Sequence, residues 1–208
     1  MTHRFRSWLG LLAVALCPLV RADVVLFDTD PFAGSTALTT PGRQVVGGEP
    51  SISFSIAGDQ FAFDPAFFNF GSSLNFASGL IGDLPSSGAN VLVLLSFDND
   101  NDAATPFGAG TAANLIADRV TSSGAGFFVY FNSALDLARL VYSTDLSDNT
   151  ADLKIMARMT NLSGQGGRDA MATFTAGNFA VVNAVPEASS LALAVLPLGL
   201  LFALRRRR

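Results

Sequence analysis

Asp98-Asn99-Asp100-Asn101-Asp102 is the densest set of groups in this chain that could do chemistry. Aspartates at alternate positions gather hard oxygens, as at the start of an EF-hand loop around Ca²⁺. The pattern then breaks: Ala103 stands where that loop needs glycine, and Ala109 where it needs the bidentate glutamate. An EF-hand is excluded. Two readings remain: a structural Ca²⁺ site made by Asp98, Asp100 and Asp102 with loop carbonyls, or a solvated polar turn that ends a strand. Asp145, Asp148 and Asp152 form a looser group around a hairpin tip, where local hydrogen bonding already favours aspartate. Gly164 to Gly167 with Arg168 lacks the Lys-Ser/Thr ending of a phosphate loop and reads as a surface loop. Asn161-Leu162-Ser163 spells a glycosylation sequon and nothing more.

Composition removes most other chemistry. The only cysteine is Cys17 and the only histidine is His3, both in a predicted leader. Residues 23–184 therefore have no disulfide framework, no thiol nucleophile, no Ser-His-Asp arrangement and no His or Cys metal site. Glu49 is their single glutamate, so a carboxylate-driven glycosidase would have to use aspartates alone. Trp8 lies in the leader, and Tyr130 and Tyr142 sit in predicted strands, which leaves few rings for sugar stacking. The expectation is a protein that is not an enzyme. Six basic against sixteen acidic residues give residues 23–184 a charge of about −10. That sign disfavours nucleic acid and anionic lipid, and leaves cations or neutral sugars as compatible partners.

The elements that position these groups read as β. Ser51 to Ile56 alternates strictly, with Ile52, Phe54 and Ile56 on one face, and Phe61 and Phe63 resume the pattern after a turn. Val91 to Phe97 and Phe127 to Phe131 are near-continuous apolar runs, as in strands covered on both faces. Leu137–Ser143 and Ala151–Thr160 flank a polar turn as a hairpin. In its second arm Leu153, Ile155, Ala157 and Met159 face inward, and Lys154, Met156 and Arg158 outward. Met171–Phe174 and Asn178–Val182 supply a closing strand or two. Asp64-Pro65 starts a single turn, and Thr111 caps one short helix over 112–120. Regions 33–50, 82–90, 99–111 and 161–170 read as loops. The expected fold is an all-β, two-sheet antiparallel sandwich, jelly-roll-like, with one short helix.

Both ends carry targeting patterns. Arg4 and Arg6, the apolar stretch Trp8–Val20 and Val20-Arg21-Ala22 make a secretory signal peptide over residues 1–22, with cleavage before Asp23. At the other end Val185-Pro186-Glu187 precedes a 17-residue apolar run, Ala188–Leu204, and then Arg205, Arg206, Arg207 and Arg208. As a helix the run reaches roughly 25 Å, enough for one short membrane span. The arginines hold the end of the chain in the cytoplasm and place the body outside. The stretch 185–208 resembles the PEP-CTERM sorting signal of Gram-negative bacteria, with Ala188 where that family has its second proline. The resemblance implies processing by an exosortase and delivery to the cell surface or matrix of an exopolysaccharide producer.

The sequence thus divides into a signal peptide (1–22), a secreted β domain (23–184) and a sorting tail (185–208). The expected protein is exported, anchored in the inner membrane on the periplasmic side through residues 188–204, and then moved to the cell surface or extracellular matrix. Its expected role is structural or adhesive in exopolysaccharide or biofilm. A calcium-dependent carbohydrate-binding module is the alternative, and an aspartate-dependent hydrolase a third reading.

Overall fold

Phenylalanine-rich strands separated by Gly, Asn and Ser turns set the architecture, because each apolar strand face needs a layer to cover it. The computed structural model describes residues 22–102 and 104–182. The signal peptide short of Ala22, and the whole sorting tail, lie outside the described residues. In chain order come β1 (Val24–Phe27), β2 (Val45–Val46), β3 (Ser51–Ile52), β4 (Gln60–Phe63), β5 (Phe76–Gly79) and β6 (Val91–Leu94). Helix α1 (Ala109–Arg119) leads to β7 (Gly126–Asn132), β8 (Leu137–Ser143) and β9 (Leu153–Ser163). Helix α2 (Gly164–Met171), a 3-10 turn at Ala176–Asn178 and β10 (Phe179–Val181) complete the order.

The described residues are mostly β-sheet, in two sheets, with two short helices. The smaller sheet has the order β1-β4-β10, and the larger β2-β9-β8-β7-β6-β5, with β3 also paired to β9. The two sheets pack on each other through Phe61 and Phe63 of β4 and Phe127, Val129 and Phe131 of β7. The other face of the larger sheet, with Leu92, Leu94, Phe128 and Tyr130, is covered by Ala112, Ala113 and Ile116 of α1. The larger sheet is therefore buried on both faces, which is why β6 and β7 read as unbroken apolar runs.

The expected antiparallel pairing is corrected. Among the described residues only β7–β8 and β8–β9 are antiparallel. Pairs β1–β4, β4–β10, β2–β9, β3–β9, β5–β6 and β6–β7 are parallel. Parallel neighbours need a crossover of a dozen residues or more. The segment between β6 and β7 provides one and folds part of it as α1, a βαβ unit where a jelly roll would turn back at once.

Smaller expectations change for local reasons. The strand expected over Ser51–Ile56 ends at Ile52, because Gly58 and Asp59 donate backbone N–H bonds to Ser55 O and the chain turns. Asp64-Pro65 makes a turn held by Ala66 N–H on Asp64 Oδ1, with no helix. Helix α1 begins at Ala109, because Ala112 N–H bonds Gly108 O; Gly108, and not Thr111, is its N-cap. The stretch 161–170, read as a loop, carries the end of β9 and α2. Gly167 is needed there: a Cβ would lie 2.2 Å from the Leu162 carbonyl carbon. Met171 closes α2 and is not a strand residue; it is buried in the inter-sheet core.

Strand β9 carries the largest correction. Leu140 pairs with Ala157, but Val141 pairs with Ile155, so Met156 is an extra residue in a β-bulge. The bulge switches the side-chain phase. Leu153 and Ile155 pack toward α1, whereas Ala157 and Met159 pack toward the smaller sheet. Met156, expected outside, is buried in the inter-sheet core.

Candidate functional site

The Asp98–Asp102 loop follows β6 and is exposed. Its carboxylates face their own backbone. Asp98 Oδ1 accepts from Asp100 N–H (3.1 Å) and Asn101 N–H (2.9 Å), Asp100 Oδ1 from Asp102 N–H (3.0 Å), and Asp102 Oδ1 from Ala104 N–H (2.9 Å). Among the described residues no three His, Cys, Asp or Glu side chains are placed to share a metal ion. The hairpin aspartates also separate. Asp145 accepts from Ser123 Oγ, Gly124 N–H and Ser147 N–H. Burial pushes its pKa up, but these donors outweigh it and hold the carboxyl below the usual range. Asp148 accepts from the N–H and hydroxyl of Thr150. Asp152 is buried on another side, where it accepts from Leu38 N–H (2.6 Å) and Gln44 N–H (2.7 Å). It fastens the long segment after β1 to the hairpin.

Other polar residues are also used as ties. Arg43 reaches Ala151 O, Gly110 O and Asn114 Oδ1, which joins the segment before β2 to the hairpin and to α1. The sequon residue Asn161 pairs its amide with the backbone of Phe54, at 2.8 Å to Phe54 N–H and 3.0 Å to Phe54 O. Arg168 lays its guanidinium over Phe97, 4.6 Å from the ring centroid, and over Phe131. Both tyrosines are buried, as their strand positions imply, and burial raises both phenol pKa values.

Sequence reasoning missed two features. The first is an ion triad. Glu49 accepts from Arg139 Nη2 and from Arg158 Nε (2.5 Å), and its side chain has no exposed surface. Arg139 lies opposite Arg158 in the ladder and opposite Tyr130 on the other side, so the cluster crosses three strands. Burial pushes the Glu49 pKa up, but bonds from Arg158, its own backbone N–H and Arg139 hold it below the usual range. The scarcity of glutamate was the only sequence signal, and it carried no partner. The second is a cavity of about 210 Å³ at the start of β5, β6 and β7, lined by Asn69, Asn75, Asn90 and Ser122 among others. Four scattered Asn and Ser positions form no motif in sequence.

No helix among the described residues is long and apolar enough to cross a membrane, and the predicted span 188–204 lies outside them. The sorting motif Val185, Pro186 and Glu187 and the arginines 205–208 lie outside them as well. The last described strand, β10, ends at Val181. No protein-family model, curated protein or solved structure matches the chain.

Proposed function

We propose that the chain is an exported, non-enzymatic surface or matrix protein. Its tail presents it to an exosortase, and its body serves a structural or adhesive role in exopolysaccharide. The observation that carries this reading is the ordered tail: Val185-Pro186-Glu187, the apolar run 188–204 and four terminal arginines. The body is compatible with it. Its two hydrophobic cores, one between the sheets and one under α1, give it the interior of a folded scaffold. The two packed sheets serve as a sandwich-type scaffold, and the acidic surface keeps the body soluble outside the cell.

Deleting residues 185–208 tests the reading. In an exosortase-bearing host the full chain is expected in the surface and matrix fractions, and the truncated chain free in the periplasm. Equal surface yields from the two chains would overturn the role of the tail.

A further inference from the structure

We infer that the cavity at the start of β5, β6 and β7 is a binding site for one neutral sugar unit of a polysaccharide. It has a volume of about 210 Å³, below the roughly 300–1,000 Å³ of sites for drug-sized ligands, and so admits a single ring. Asn75, Asn90 and Ala125 immediately precede three adjacent parallel strands, so one sheet edge positions the wall. That wall is held in place before any ligand arrives. Asn90 Nδ2 donates to Phe70 O (3.2 Å) and Ser73 O (2.9 Å), and its Oδ1 accepts from Asn75 N–H (2.7 Å). Asp145 fixes Ser123 and Gly124 from behind. Gly126 is required by the packing, since a Cβ there would lie 2.5 Å from both Asn90 O and Leu146 Cδ1.

The groups left over define the ligand. Asn69 and Asn75 bond through their backbone N–H groups, to Tyr142 Oη and Asn90 Oδ1, and their exposed side-chain amides, without a partner among the described residues, are open to a ligand from solvent. Each amide offers two donors and an acceptor, which suits neighbouring hydroxyls that both give and accept. The Ser122 hydroxyl adds one more such group, and buried Phe70 an apolar patch. No charged side chain lines the cavity. A charged sugar would gain no counter-charge there, and an anionic one would also meet the acidic body. The ligand class is therefore an uncharged glycan. The site is separate from the Asp98–Asp102 loop and needs no calcium. It rests on the matrix reading only for the source of the sugar.

The test uses the ¹⁵N-labelled full chain in a polyoxyethylene detergent, which carries no sugar. Probes are isomaltotriose, mannotriose and chitotriose, with trigalacturonate as the acidic comparison. At least one neutral trisaccharide is expected to shift the side-chain amide signals of Asn69 and Asn75, and trigalacturonate none. The double variant Asn69→Ala, Asn75→Ala should bind about tenfold or more weakly at an unchanged melting temperature. The site is overturned by silence from all three neutral probes, by equal binding to the double variant, or by equal binding of trigalacturonate. Fractionation of the same double variant keeps the two proposals apart: it should still be exported. Trisaccharide binding by a chain that stays in the cytosol would sink the matrix reading and leave the cavity standing.

Discussion

Phe63 of β4 stacks on Phe127 of β7 with ring centroids 3.8 Å apart and planes 23° from parallel. This pair lies where the smaller sheet meets the larger. Phe68 and Phe70 meet Phe127 from the side, each with its centroid 5.4 Å away, and Tyr142 lies at 5.3 Å. The inter-sheet core is thus centred on an aromatic cluster, with aliphatic side chains such as Val91, Val129 and Leu140 in the same layer.

Truncating either ring should open a cavity that its neighbours cannot refill. Phe127→Ala is expected to cost about 3–5 kcal/mol, and Phe127→Leu markedly less. Urea unfolding of both variants measures this. A loss below about 1 kcal/mol for the alanine variant would mean that the sheets are not joined here.

The Glu49 triad makes an asymmetric prediction. Removing the fully buried partner, Glu49→Ala, leaves Arg139 without its anion and should cost about 3–5 kcal/mol. Arg158 is 42% exposed, and Arg158→Ala should cost under about 1 kcal/mol. The Glu49 carboxyl is held below its ordinary value of 4.5. Its contribution is therefore complete above that value and is lost as pH falls through the folded-state pKa. The acid limb of a stability–pH curve should be shallower in Glu49→Gln than in the wild type.

Asn161 acts as a surrogate strand partner for Phe54, which is fully buried. Asn161→Ala leaves a backbone N–H and a carbonyl unpaired and should cost about 1–3 kcal/mol. Asn161→Asp keeps the acceptor and should fall between alanine and wild type. Equal stability of all three chains in urea would contradict the role given to this amide.

Calcium should leave the melting temperature unchanged, because one oxygen of each of Asp98, Asp100 and Asp102 already accepts loop N–H groups and the three carboxylates do not converge. A bound ion at a hundred times its Kd would add about 2.7 kcal/mol. Calorimetry with Ca²⁺ against EDTA separates the two cases. A gain of that size, abolished in Asp98→Asn, Asp100→Asn, would establish the calcium reading.

Strand positions were largely legible, because the runs at 91–94 and 126–132 and the hairpin 137–163 carry their own periodicity. Pairing direction was not. An apolar run shows that a strand is covered, but not whether its neighbour runs with it or against it. The bulge at Met156 hid for a related reason: alternation continues through it by residue type, although the face has changed. Helix α2 was masked by its glycines, of which Gly167 is selected by packing against Leu162 and not by helix propensity. The triad and the cavity join residues tens of positions apart, from Glu49 to Arg158 and from Asn69 to Ser122, so no local spacing announces them. The proposed targeting segments rest on sequence alone, since they lie outside the described residues.

Protease accessibility in intact spheroplasts tests the central claim most directly. With a tag placed in the Asn99–Asp102 loop, the domain should be labelled and digested from outside without lysis, while an epitope after Arg208 stays protected. A domain that becomes accessible only on lysis would contradict an exported body held by its tail.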